Sequence, residues 1–237
     1  MIPRLSRPST PPDSAPHTGW VFEGVGRTEG DRPILRGVSL RVGWGERVAI
    51  EGPSGSGKTT LLRLLPRLDD VDAGEIRLDG RRLDEHDPRL LRRRVRYVPQ
   101  NPVPLPGSVG DNFECAAGFA RISTSRAEME SLLVGLALDP EILDIDVGRL
   151  SGGELHRVAI GRALIAAGRN GPEAFFVLDE PTAHLDGESA RSMLATVAAA
   201  GGLLVADHHG VALDFVDRVV RIERGGLVSD RASVGRD

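Results

Sequence analysis

One cysteine, Cys115, stands alone in the 237 residues, so no disulfide can close within the chain and a reducing compartment is expected. No apolar run reaches the roughly 20 residues that a membrane span requires. The longest candidate, Leu194 to Ala206, is interrupted by Gly201-Gly202 and stops at Asp207. Arg4 and Arg7 are followed by no apolar core of a signal peptide, and these absences together predict a cytosolic protein. A large excess of charge is also missing: the net charge is −4 with 27% charged residues, which argues against a nucleic-acid binder held by bulk electrostatics. With 40% hydrophobic residues, the chain suffices for one large α/β domain, alone or with a small insertion.

Residues 1–17 are rich in Pro, Ser and Thr with little to bury, and predict a disordered tail. Structure is expected to begin near Trp20-Val21-Phe22. Val38 to Val42 alternates as a strand, and Gly43-Trp44-Gly45 turns into the apolar strand Arg47-Val48-Ala49-Ile50. Asp79-Gly80 marks a hairpin turn within Glu75 to Leu83. The basic run Arg89 to Arg94 reads as a solvated helix face leading into the strand Arg96-Tyr97-Val98. Three prolines and a glycine make 101–107 an extended loop, and helices are expected around 109–115 and 126–138. A helix over 154–167, the strand Phe175 to Leu178, a helix over 188–199, the strand Leu203 to Ala206 and closing strands near Val219 and Leu227 complete the order. Strands alternating with helices predict an α/β fold with a mostly parallel sheet. The helical stretch lacks strands of its own and reads as an inserted subdomain.

Gly52-Pro53-Ser54-Gly55-Ser56-Gly57-Lys58-Thr59 matches the phosphate-loop pattern at every fixed position. Its glycines (Gly52, Gly55, Gly57) free the backbone to turn successive N–H groups onto anionic oxygens. Lys58 supplies a point charge for the β- and γ-phosphates, and the Thr59 hydroxyl a ligand for Mg²⁺. The helix opening at Thr60 directs its positive end at the same anion. Asp179, at the carboxyl end of an apolar strand, suits Mg²⁺ binding, and Glu180, one residue on, suits activation of a water. Leu150-Ser151-Gly152-Gly153-Glu154 forms a second anion cradle, from a hydroxyl, free N–H groups and a helix N-terminus. A single nucleotide has no evident use for two cradles on one chain, whereas a head-to-tail dimer does.

In these motifs the chain resembles the ATP-binding cassette (ABC) ATPases, specifically the lone nucleotide-binding domain of a transporter, over residues 18–237. Gly52 to Thr59 is similar to Walker A, Gln100 to the Q-loop glutamine, Leu150 to Glu154 to the signature and Phe175 to Glu180 to Walker B. Ala183-His184-Leu185-Asp186 resembles the D-loop. His208, favoured by register over His209, resembles the switch histidine. The resemblance implies a P-loop core with a mostly parallel sheet, an antiparallel β subdomain and a helical subdomain over about 101–168. It further implies ATP and Mg²⁺ as cofactors, with Gly52, Ser54, Gly55, Gly57, Lys58, Thr59 and Thr60 on the nucleotide. Thr59, Gln100 and Asp179 would then serve the metal, and Glu180, Gln100 and His208 catalysis. Ser151 and Gly153 would reach the partner's nucleotide in a sandwich homodimer. Separate transmembrane permease subunits, a location on the inner face of the cell membrane and no nucleic-acid partner are expected. A soluble ABC ATPase of the iron–sulfur assembly type is the alternative.

The chain departs from the family pattern in three places. Where the family stacks adenine on an aromatic ring, this sequence has Thr28 or Glu29, with Trp20 and Phe22 nearby but better suited to a core. Glu154 replaces a common glutamine. Asp207 precedes the switch histidine, where it either raises the imidazole pKa or is only exposed. Pro106 to Phe113 resembles a stretch of exporter cassettes and of some phosphate- or metal-type systems.

Overall fold

The computed structural model describes residues 18–168, 174–183, 185–207 and 210–233. The expected tail at 1–17, His184, His208 and His209 lie outside them.

Two sheets carry the fold. Strands β1 (Gly19–Glu29), β2 (Arg32–Gly43), β4 (Ala73–Leu78) and β5 (Arg81–Arg82) form an antiparallel sheet in the order β2-β1-β4-β5. Its alternating apolar residues, such as Trp20, Phe22, Val38, Leu40 and Val42, are buried on one face, as a period of two requires. The Asp79-Gly80 turn joins β4 to β5 with both residues at positive φ, 51° and 79°, the geometry that matches strand twist in tight hairpins.

The second sheet holds β3 (Arg47–Glu51), β6 (Val95–Val98), β7 (Phe175–Asp179), β8 (Gly202–Ala206), β9 (Arg218–Glu223) and β10 (Gly226–Ala232), in the order β10-β9-β3-β8-β7-β6. All neighbours are parallel except the β9–β10 pair. Strands β7 and β8 are buried at every position, which explains their continuous apolar runs. Successive residues feed opposite cores. Val48, Ile50, Phe175, Val177 and Leu204 face the antiparallel sheet and helix α1 (Lys58–Leu64). Ala49, Phe176, Leu178, Leu203 and Val205 face α3 (Val109–Ala120), α4 (Arg126–Gly135), α5 (Gly152–Ala167) and α6 (Gly187–Ala200).

The described residues between β6 and β7 are helices and loops. Capping boxes at Ser108, Ser125 and Ser151 start α3, α4 and α5, so these starts are set by local hydrogen bonds that sequence patterns reveal. The basic run forms α2 (Pro88–Arg94), but it is not a purely solvated face. Arg92 donates to the Pro66 and Arg67 carbonyls, and the Arg94 guanidinium lies 3.9 Å over the Trp44 ring. Packing of α2 against the turn after α1 and against Trp44 supplied these partners.

Candidate functional site

Parallel strands end on the same side of a sheet, so the segments that follow β3, β6, β7 and β8 gather along one edge, where α/β proteins bind ligands. That edge carries the phosphate loop, Gln100, Asp179-Glu180 and Asp207.

The loop is shaped by glycine where no other residue fits. Gly57 has φ 105°, and a Cβ there would meet Leu35 Cδ2 at 2.8 Å and the Ile34 carbonyl at 2.9 Å. The Gly225 N–H donates to the Ser56 carbonyl at 3.1 Å, tying the loop to the β9–β10 turn. Lys58 is buried, and its ammonium donates to the Gly52 and Pro53 carbonyls at 2.8 and 3.1 Å. An ammonium has three donors, which leaves one for an anion in the loop. Burial lowers the Lys58 pKa, against which the Glu180 and Asp179 charges raise it. The Ser56 hydroxyl, 3% exposed, has no hydrogen-bond partner among the described residues, an orphan that a bound phosphate oxygen would satisfy. Loss of the buried charge in Lys58→Ala is therefore expected to weaken nucleotide binding at least about tenfold. Calorimetric titration checks this, and unchanged affinity would place the phosphates elsewhere.

Asp179 ends β7 at 2% exposure. Burial pushes its carboxyl above the usual range, a hydrogen bond from Thr59 opposes this, and the Glu180 charge adds to the rise. The Tyr97 hydroxyl also donates to Asp179, at 3.4 Å, and burial and that carboxylate raise the phenol's pKa, so it stays a donor. A carboxylate costly to ionise gains from a cation beside it. A hydroxyl, a carboxylate and the Gln100 amide oxygen are hard-oxygen donors of the kind Mg²⁺ takes. Among the described residues no three His, Cys, Asp or Glu side chains cluster as a metal site.

Glu180 sits at φ 50°, a left-handed conformation that costs a non-glycine residue about 1 kcal/mol. Its N–H donates to the Ala206 carbonyl at 3.0 Å, which fixes the turn, and its carboxylate accepts from Gln100 Nε2 at 2.7 Å. Asp207 is buried, not exposed: it accepts from the Thr182 hydroxyl and from the Ala212 N–H, bracing the chain on either side of the expected histidine.

Among the described residues no hydrogen bond joins Ser151 or Gly153 of the second cradle to the phosphate loop. Ser151 and Gly152 are exposed, and a Cβ on Gly152 would meet nothing within 4 Å. Glu154 has its own use, since its carboxylate accepts from the Ser151 N–H and hydroxyl at 2.8 and 2.6 Å. The hydroxyl bond is the largest cause holding its pKa below the usual range.

Of the residues read from the sequence, the fold groups Lys58 and Thr59 with Asp179, and Gln100 with Glu180. Trp20 and Phe22 are each 1% exposed and cannot stack on a base. Thr28 is no free platform either, because its N–H and hydroxyl both donate to Asp72 at 2.6 Å. Sequence reasoning missed Tyr97, Thr182 and Asp72. The only signal for Tyr97 was its place in a strand that would pair beside β7.

A family model described as ABC transporter matches residues 35–183. Among curated proteins, the ATP-dependent lipid A-core flippase of Cupriavidus pinatubonensis is 36% identical over 225 residues, 86% of this chain and 36% of that protein. The flippase of Cupriavidus metallidurans is 37% identical over 220 residues, with the same coverage. The chain thus spans about a third of the length of these relatives. Among solved structures, a bacterial Atm1-family ABC exporter with ATP bound aligns with TM-score 0.78 and 31% identity, covering 93% of this chain and 41% of that one. A dimeric ATP-binding cassette in a post-hydrolysis state with ADP and Pi aligns with TM-score 0.75 and 26% identity, covering 92% and 100%.

Proposed function

The chain belongs to the ABC transporter family, and from that premise we propose that it binds and hydrolyses ATP as the cytoplasmic ATPase subunit of a membrane transporter. The observation that carries the reading is that one chain holds two anion cradles of opposite exposure, one buried around Lys58 and one open to solvent at Ser151. Two copies arranged head to tail bring each exposed cradle onto the partner's phosphate loop.

In this reading the 52–60 segment holds the phosphates, with Lys58 neutralising charge at the β- and γ-oxygens. Thr59, Asp179 and Gln100 would hold Mg²⁺, which supplies further neutralisation of phosphate charge when bound. Glu180 orients a water and takes its proton, and its contact with Gln100 links that event to the loop that follows β6. His208, by resemblance, completes the γ-phosphate contacts. Gly153 would donate its N–H to the partner's γ-phosphate, and the Ser151 hydroxyl would do so by exchanging its bond to Glu154 for one to the phosphate, so in this reading the site is complete only in the dimer.

The loop after Gln100 supports a membrane partner. A groove of about 320 Å³ lies between that loop and α3, lined by Tyr97, Pro102, Val103, Leu105, Phe119 and Arg162. Val103 is 83% exposed and Phe119 76%, unusual for large apolar side chains at one place. No helix of the described residues is long and apolar enough to cross a membrane. Phe119→Asp is expected to release the chain from the membrane fraction of its native cells, as read by fractionation and immunoblotting. If wild-type chain is itself found wholly in the soluble fraction, the soluble ABC ATPase becomes the better reading.

A further inference from the structure

Any nucleotide held in the phosphate loop must be met by something besides the loop, and in this chain that partner is not an aromatic ring. There are nine aromatic residues. Trp20, Phe22, Phe113, Phe175 and Phe176 are fully buried. Trp44 packs against Trp20 and Phe175 beneath Arg94, Tyr97 is bonded to Asp179, and Phe215 packs against the second core. Phe119 lies in the groove beyond Gln100. None is left at the mouth of the loop.

A cation is there instead. Strand β2 runs alongside the loop: Ile34 lies against Gly57, with its carbonyl 2.9 Å and its Cγ2 3.6 Å from where a Cβ would stand. Two residues earlier on the strand, Arg32 meets the glycine two residues earlier in the loop, its Nη2 4.0 Å from the Cβ position of Gly55. The i, i+2 relation puts Arg32 and Ile34 on one face of the strand, so the placement follows from the pleat. The strand is anchored as well, since the Arg36 N–H donates to the Gly225 carbonyl at 2.8 Å and Gly225 in turn holds Ser56. Arg32 is exposed, and among the described residues it makes no ion pair or hydrogen bond, although Glu29 and Asp31 share its turn.

We propose that Arg32 is a phosphate-binding residue of this site, and that the chain therefore takes nucleoside di- and triphosphates with little regard to the base. The proposal rests on the ATPase reading above. With its Nη2 4.0 Å from the Cβ position of Gly55, the exposed and flexible Arg32 side chain can swing onto an anion in the loop, whereas the base lies beyond the phosphates and ribose. Binding energy that other sites draw from ring stacking is drawn here from charge, which every nucleotide shares.

The test is calorimetric titration of the full chain with ADP and with GDP, for wild type, Arg32→Ala, Arg32→Lys and Lys58→Ala. Arg32→Ala should weaken both nucleotides about tenfold and by equal factors, with an unchanged Tm because the side chain is exposed and unbonded. Arg32→Lys should recover part of the loss equally for both nucleotides, since it restores the charge but not the bidentate fork. Wild type should bind ADP and GDP within about tenfold of each other, base stacking being worth roughly 1–3 kcal/mol where it occurs. If Lys58→Ala is weakened while Arg32→Ala binds within twofold of wild type, the proposal falls and the ATPase reading stands. A loss confined to one nucleotide means that the guanidinium recognises the base and also overturns it. A wild-type chain that binds neither nucleotide overturns both readings.

Discussion

Glu180→Gln is expected to bind ATP as tightly as wild type and to hydrolyse it about 10²-fold more slowly, or worse. The amide is nearly isosteric with the carboxylate and can still accept the hydrogen bond that Gln100 Nε2 donates at 2.7 Å. It tolerates the φ of 50° no worse than glutamate, so the turn after β7 should keep its shape. What disappears is the capacity to take a proton from water, and general-base catalysis contributes about 10²–10⁴-fold. Because substrate affinity should be unchanged, the whole effect belongs in kcat. Steady-state phosphate release at saturating Mg-ATP, beside nucleotide titration, separates the two quantities. Turnover within a few-fold of wild type would remove Glu180 from the chemistry. The same variant should also run as a dimer in sizing chromatography with ATP, since closure outlasts a blocked hydrolytic step.

The second large effect tests the shared site. Ser151→Arg should abolish hydrolysis while leaving ATP binding to the single chain intact, because among the described residues Ser151 makes no hydrogen bond to its own phosphate loop. The substitution also removes a helix cap worth about 1 kcal/mol, so a loss of activity alone would not be decisive. Mixing with Lys58→Ala subunits decides it. Each heterodimer then has one doubly damaged site and one in which the Ser151→Arg subunit's intact phosphate loop meets the Lys58→Ala subunit's intact cradle. Activity above that of either variant alone is the expected result. A merely destabilised Ser151→Arg chain, or a mechanism confined to one chain, gives no such rescue.

What could be read from the sequence is what depends on short stretches of chain. The phosphate loop, the capped start of α5 at Ser151 and the Asp79-Gly80 turn are each set by hydrogen bonds and dihedral preferences within a few residues. The buried strands β7 and β8 announce themselves by apolar runs that only a two-sided burial permits. The parallel order of the second sheet follows from helices alternating with strands, and it brings Lys58 and Asp179 to one edge.

Tertiary structure alone decided the side-chain partners that lie far apart in the chain. Tyr97 meets Asp179 across 82 residues because β6 and β7 pair in register with Tyr97 opposite Val177. Thr28, one of the two residues where the resemblance implies an aromatic ring, is tied to Asp72 across 44 residues. Trp20 was drawn into the core by Trp44 and Phe175, with ring centroids 4.5 and 4.7 Å away. Arg32 reached Gly55 because β2 is pinned through Gly225 to the loop. Such contacts depend on how two sheets twist and dock, and neither propensity nor spacing along the chain carries that information.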